Sequence, residues 1–261
     1  LAVAREESIS GAAEYLHITQ PTLSRQLMEL EDELGAKLLI RGKRNRRVIL
    51  TDEGMLLRRR AEEIVELADK TEAEFHARDE IVSGDVYIGG GETDAMHFVA
   101  RAAKALQEQY PDIRYHLFSG NADDVTERLD KGLLDFGILI GTANVEKYDY
   151  ITLPYTDTWG VLMRRDSPLA AQETIHPKDL TDLPLLGSRQ AVMRNELSGW
   201  YGSDFERLNI VMTYNLIYNA AIMVEEGLGY ALCIDRLINT TGDSQLCFRP
   251  LEPRLEAPLA L

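Results

Sequence analysis

Thr19-Gln20-Pro21-Thr22-Leu23-Ser24-Arg25-Gln26-Leu27 runs on through Met28-Glu29-Leu30-Glu31-Asp32-Glu33-Leu34 to Gly35. Thr19 has the hydroxyl of a helix N-cap. Pro21 falls in the first turn, where a missing N–H is harmless. Leu23, Leu27, Leu30 and Leu34 recur at spacings of 4, 3 and 4, which predicts one apolar stripe. Gly35 stands where a left-handed residue ends a helix. Gln20, Thr22, Ser24 and Arg25 lie off the stripe, at the N-terminal end.

Working outward, Ser10 is expected to cap a preceding helix containing Ala12, Ala13 and Leu16, with His17-Ile18-Thr19 as a short break. Downstream, Lys37–Ile40 and Val48–Leu50 read as two short strands around Arg41-Gly42-Lys43-Arg44-Asn45-Arg46-Arg47, a hairpin with a basic tip. Thr51 then caps a helix from Asp52 to about Ala77, close to 40 Å long at about 1.5 Å per residue. Leu57, Ala61, Ile64, Ala68, Thr71 and Phe75 form a narrow seam on it, better suited to helix–helix pairing than to a broad core.

Two helices, a three-residue break and a basic hairpin make a winged helix-turn-helix candidate. Its second helix would present Thr19, Gln20, Pro21, Thr22, Ser24 and Arg25 to the major groove. Gln and Arg can bond adenine and guanine in bidentate fashion; hydroxyls and the helix N-terminus suit phosphate oxygens. Arg41, Lys43, Arg44 and Arg46 would meet backbone or minor groove. Charge sharpens this reading. The 261 residues carry Lys+Arg 28 against Asp+Glu 43, a net charge of −15, which excludes a chain coated in positive charge. Residues 37–60 nevertheless hold nine Lys/Arg against two acids. A solvated basic loop is the plain alternative.

From Ser83 onward, strand and helix alternate. Val86–Gly89, Ala95–Tyr110, Ile113–Phe118, Asp123–Lys131 and Phe136–Ile140 give a βαβαβ order and hence a parallel sheet covered by helices. Two strands are expected around Ile151–Met163. A second series follows: a strand near Leu185, helix Asn195–Leu208, strand Val211–Tyr214, helix Leu216–Glu226 and strand Gly229–Cys233. Two α/β lobes joined by strand-like crossovers is the economical architecture. Open α/β sheets bind ligands beyond the carboxyl ends of their strands. Thr93 there can cap a helix beginning at Asp94, with Glu92 at the rim; Ser119, Gly120 and Asn121 hold the equivalent place. Gly187, Ser188 and Arg189 follow a strand of the second lobe, and Asn215 can cap a helix. Thr93 and Asn215 could equally be plain caps, and Arg189 a surface arginine.

The quoted helices, extended to Ala12-Ala13-Glu14-Tyr15-Leu16, Leu38-Leu39-Ile40-Arg41 and Leu50-Thr51-Asp52-Glu53-Gly54, resemble the DNA-binding domain of LysR-type transcriptional regulators. Ser83-Gly84-Asp85-Val86-Tyr87-Ile88-Gly89, Gly132-Leu133-Leu134-Asp135-Phe136-Gly137-Ile138 and Glu226-Gly227-Leu228-Gly229-Tyr230-Ala231-Leu232 extend the resemblance across the chain. It implies an α/β protein with an N-terminal all-α winged helix-turn-helix over 1–51, a linker and dimerisation helix with hinge over 52–84, and a two-lobed, periplasmic-binding-protein-like effector domain over 85–261. Lobe I would span about 85–155 and lobe II about 156–261. The expected partners are double-stranded DNA carrying a partly palindromic operator, a small-molecule effector, an organic anion by default although Glu92 at the rim argues the other way, and a second copy of the chain, with dimers forming tetramers. Leu57, Ala61, Ile64, Ala68 and Phe75 would pair the copies. Thr93, Ser119, Gly120, Asn121, Ser188, Arg189 and Asn215 would line the effector cleft. Three departures stand out. The sequence enters part-way through that family's first helix, ends before its usual last strand and helix, and has a wing two residues longer than the commonest spacing; a truncated member is expected.

Cys233 and Cys247 cannot build a disulfide framework or a structural zinc site, which fits a reducing, cytoplasmic setting. No apolar run approaches the ~20 residues of a membrane span, and no secretory leader is visible. Gly89-Gly90-Gly91-Glu92-Thr93-Asp94 lacks the third glycine of a dinucleotide loop, and no P-loop, H-E-x-x-H or G-x-S-x-G occurs. No metal, cofactor or catalytic residue is expected. An enzyme fused to a DNA-binding domain, and a ligand-binding scaffold without DNA binding, are the alternatives.

Overall fold

The computed structural model describes residues 1–40, 47–76, 82–141, 145–193, 196–202, 205 and 208–261. The chain divides into two compact units, Leu1–His76 and Ala77–Leu261.

In the first unit, α1 (Ala2–Glu6), α2 (Ile9–Tyr15) and α3 (Gln20–Leu34) precede a small hairpin of β1 (Leu39–Ile40) and β2 (Ile49–Leu50), then α4 (Asp52–His76). Val3, Ala12, Ala13 and Leu23 are its buried centre, with Ile9, Leu27, Leu39 and Val48 packed around them. Such a small core relies on its caps. Ser8, not Ser10, caps α2: its Oγ accepts the Gly11 N–H at 3.2 Å. Ser10 lies inside that helix. Thr19 caps α3 with Pro21 in the first turn, and Gly35 closes it at φ 63°. Thr51 accepts the Gly54 N–H at 2.9 Å and donates to Lys37 O at 2.6 Å, so one hydroxyl starts α4 and fastens it to the hairpin.

The leucine stripe of α3 is only partly an inner face. Leu23 is buried and Leu27 half-buried, but Leu30 and Leu34 are 36% and 51% exposed. The third inner position is Glu31, 5% exposed. Its Oε1 accepts the Leu38 and Leu39 N–H groups at 2.9 and 3.3 Å, and its Oε2 pairs with Lys37 Nζ at 2.8 Å. Buried charge is tolerated only when satisfied in this way. On α4, Leu57 and Ala61 are half-buried, Ile64 is 65% exposed, and Ala68 and Thr71 are exposed. The side chain of Phe75 lies outside the described residues.

In the second unit, β3 (Gly84–Gly90), α5 (Met96–Gln109), β4 (Ile113–Ser119), α6 (Ala122–Asp130) and β5 (Phe136–Ile140) form the first lobe. β3 pairs in parallel with both β4 and β5. A continuous strand β6 (Thr152–Arg164) replaces the two strands expected there. Its first half pairs with β11 (Glu256–Ala260), its second with β9 (Tyr230–Ile234) and β10 (Leu246–Pro250), all antiparallel. β7 (Leu185–Ser188) joins β8 (Ile210–Tyr214) and β9 in parallel, and α9 (Ile217–Glu225) covers them. Strand β6 thus carries the chain from one lobe to the other, and β11, paired to β5 and β6, returns it.

Along β6, Val161 and Met163 enter one buried cluster and Leu162 the other, the period-2 alternation of a strand covered on both faces. The helix expected over Asn195–Leu208 is not continuous. A short helix α7 (Arg189–Met193) ends before this stretch, a turn at Glu196–Leu197 and the short helix α8 (Ser198–Tyr201) lie within it, and Asn195 lies outside the described residues. Among the described residues no helix is long and apolar enough to cross a membrane.

Candidate functional site

Two surfaces carry candidate chemistry. The first is the N-terminal turn of α3. Burial of Leu23 toward α1 and α2 turns the opposite face of the helix outward. Gln20, Pro21 and Arg25 are exposed there, and Thr22 and Ser24 are half-buried. Thr19 Oγ1 accepts the Thr22 N–H at 3.4 Å and lies 2.8 Å from Thr22 Oγ1, so both hydroxyls serve the cap first. Arg25 is 70% exposed, its Nε 3.6 Å from Glu29 Oε1, a loose i,i+4 pair that leaves the guanidinium available. The hairpin stem registers Leu39 with Leu50 and Ile40 with Ile49. Arg41, Lys43, Arg44 and Arg46 lie outside the described residues. Beside them, Arg47 pairs with Glu7 at 3.0 Å and the Val48 N–H bonds Glu7 O at 2.8 Å, pinning β2 to the end of α1.

The second is a cavity between the lobes, with a volume of about 90 Å³. The first lobe contributes the loops after β3 and β4, the second lobe the loops after β7 and β8. Of the residues expected in the cleft, Gly120, Asn121, Ser188 and Asn215 line it. Thr93 and Ser119 line a separate groove of about 440 Å³ with Asp94, His97 and Arg236. Arg189 is exposed and does not line the cavity. The residue after it, Gln190, does, as do Glu92, Trp159, Tyr214 and Glu196. Periodicity carried no signal for Gln190 or Trp159, because their place in the wall depends on which loops meet beside β6.

Several of these side chains have structural partners. Asn121 Oδ1 accepts the Asp123 and Asp124 N–H groups at 2.9 and 3.0 Å, and Asp124 returns a bond to the Asn121 N–H, closing a capping box. Asn215 does not cap α9; Leu216 holds the N-cap position, and Asn215 Oδ1 accepts the Leu216 N–H at 2.9 Å. The Ile217 N–H goes instead to Glu92 Oε2, from the other lobe. Gln190 Oε1 in turn accepts the Ala122 N–H, at the start of α6, at 2.8 Å.

Thr93 is buried and its hydroxyl faces away from the cavity. It accepts the Ala95 N–H at 3.1 Å and donates to Asp157 Oδ2 at 2.7 Å. Asp157 is fully buried on β6, and its Oδ1 has no hydrogen-bond partner among the described residues. Burial pushes its carboxyl up to about 6, although the Thr93 bond pulls the other way. Around it, Asp94 bonds Tyr155 OH at 2.9 Å, and Arg236 reaches both Asp94 and Asp235. Cys233, in the cavity wall, is raised to about 12 by burial and stays a thiol.

Comparison with known proteins adds to this geometry. Residues 1–55 match the family described as bacterial regulatory helix-turn-helix protein, lysR family, and residues 80–261 match the LysR substrate binding domain. The uncharacterized HTH-type transcriptional regulator YvbU of Bacillus subtilis is 29% identical over 238 residues, covering 88% of this chain and 77% of the relative. The Hca operon transcriptional activator HcaR of Escherichia coli is 29% identical over 260 residues, covering 96% and 84%. Among solved structures, CbnR, a LysR family transcriptional regulator, superposes with a TM-score of 0.70 at 18% identity, covering 99% of this chain and 88% of that one. Full-length CbnR complexed with its target DNA gives 0.69 at 18% identity, covering 100% and 90%.

Proposed function

Because the chain belongs to the LysR family, DNA-binding transcriptional regulators with an effector-binding domain, we propose that it reads a partly palindromic operator as a homodimer in the cytoplasm and acts as a regulator, not a catalyst. Residues 1–51 are the reading domain, 52–84 the pairing helix and hinge, and 85–261 the effector domain, with lobes of about 85–155 and 156–261. Gln20 and Arg25 contact base edges. Thr19, Pro21, Thr22 and Ser24 fit the helix against the backbone, and Arg41, Lys43, Arg44 and Arg46 neutralise phosphates. Leu57, Ala61, Ile64, Ala68 and Phe75 pair two α4 helices, and dimers associate further into tetramers. The effector is a small organic anion held between the lobes near Gly120, Asn121, Ser188 and Asn215. Thr93 and Ser119 act from the flanking groove, and Arg189 from the rim.

One observation carries the DNA reading. The polar N-terminal turn of α3 faces outward while Leu23 anchors the helix to the core. On a body of net charge −15, attraction to DNA has to be concentrated on this edge. Selection from random duplexes by the full chain, followed by footprinting, tests it. Two protected half-sites about one helical turn apart are expected, with affinity falling steeply with salt. Binding indifferent to sequence and to salt would overturn the reading.

A further inference from the structure

Two contacts cross from lobe to lobe in a reciprocal pattern. Glu92, in the loop after β3 of the first lobe, accepts the N–H of Ile217, the first residue of α9 in the second. Gln190, just after β7 of the second lobe, accepts the N–H of Ala122, the first residue of α6 in the first. The first N–H groups of a helix have no partner within it. Ile217 and Ala122 are 2% and 7% exposed, so these donors would otherwise be buried and unsatisfied. Each lobe therefore completes a helix of the other.

The two clasps differ in strength. Glu92 offers a carboxylate to a helix N-terminus, where the bond is charge-assisted and the helix dipole favours the negative charge. Gln190 offers a neutral amide oxygen. The cavity at the two clasps, about 90 Å³, is far below the roughly 300–1,000 Å³ of sites that enclose small molecules, although a groove of about 440 Å³ stays open on the other side of Glu92, toward Arg236. At the clasps the lobes are thus shut on each other, with the anion position at α9 already filled.

We propose that Glu92 is a built-in anion that holds the cleft closed on itself, so that a carboxylate-bearing effector gains the start of α9 only by displacing it. This rests on the reading of the cavity as the effector site and makes Glu92 its specificity-determining residue. An effector without a group to replace the Glu92 oxygen leaves the Ile217 N–H buried and unpaired, and is disfavoured for that reason.

Distance measurement between nitroxides, one on each lobe of the full chain, tests the clasp. Cys233 and Cys247 are buried, so labels introduced by Lys104→Cys and Lys178→Cys react selectively. Glu92→Ala should raise the open-to-closed ratio by roughly tenfold or more, the loss of one charge-assisted bond. Acetate should restore the wild-type distribution by refilling the carboxylate position, while methylammonium chloride should not. Glu92→Gln keeps an acceptor and should stay mostly closed; Gln190→Ala should open the cleft less than Glu92→Ala, and serves if that variant fails to fold. A wild-type distribution in both alanine variants, or an open Glu92→Ala population that acetate leaves unchanged, overturns the proposal. An effector found to bind elsewhere would instead remove the cleft reading and leave the acetate result standing.

Discussion

Replacing Glu31 with Ala would cut the tie between the reading helix and the wing. The Glu31 carboxylate is 5% exposed and holds the Leu38 N–H at 2.9 Å, the Leu39 N–H at 3.3 Å and Lys37 Nζ at 2.8 Å. Leu38 is itself buried, so its N–H loses a charged acceptor with little water to replace it, at about 1.5–3 kcal/mol. The Lys37 side chain is 73% exposed, which limits that pair to no more than about 1 kcal/mol. The sum, about 2–4 kcal/mol, is large beside the roughly 4–11 kcal/mol expected of a unit the size of Leu1–His76. Glu31→Gln keeps an acceptor for the backbone and should lose only about 1 kcal/mol.

The same carboxylate predicts a pH dependence. Its bond to Lys37, then those to Leu38 and Leu39, hold it below the usual range against the opposing effect of burial. Folding therefore favours the ionised form. The stabilisation is complete above the unfolded value near 4.5 and is lost as pH falls through the lower folded value. Urea unfolding at pH 7 and below pH 4, with hydrogen exchange at Leu38 and Leu39, is the assay. Glu31→Ala should show the lowest midpoint at pH 7, fast exchange at both amides and weakened operator binding. Its deficit relative to the wild type should shrink in acid. A wild-type midpoint with Leu38 still protected would refute the reasoning.

Arg25→Ala should weaken selected operator DNA by about 1–3 kcal/mol while changing random DNA little, measured by fluorescence anisotropy on both; equal losses would mean that Arg25 contacts only phosphate. Ile64→Asp, on the exposed seam of α4, should shift sedimentation from dimer toward monomer. Asp157→Asn should remove a pH effect of the opposite sign from that of Glu31. Its folded value of about 6 lies above the ordinary 3.8, so wild-type stability falls as pH rises between the two. The variant should gain up to about 3 kcal/mol at pH 7 but not at pH 4 in thermal melts, if Asn keeps the Thr93 bond. Gly54→Ala should destabilise the wing junction despite alanine's better helix propensity, because its Cβ would sit 2.1 Å from Leu38 O; chemical denaturation reads this directly.

The order of elements was legible from sequence wherever the signal is local. Thr19, Gly35 and Thr51 act on N–H or C=O groups within a few residues, so their types at those spacings mark where α3 starts and stops and where α4 begins. The alternation of apolar runs with capped helices likewise marks two α/β lobes. Near misses such as Ser10 for Ser8 are choices among adjacent residues of similar capping ability.

What required the tertiary structure is decided between distant segments. Glu31 takes an inner position that the leucine spacing assigned to Leu30 and Leu34, because β1 brings two N–H groups and Lys37 to it. Thr93 turns from the cleft because Asp157, 64 positions away, faces it from β6. Asn215 loses the cap of α9 to Glu92, 125 positions away from Ile217. A pattern along the chain ranks residues by polarity and period. Which of two polar groups satisfies a buried N–H depends on which loops the sheet order brings together, and that is settled only once both lobes have closed around β6.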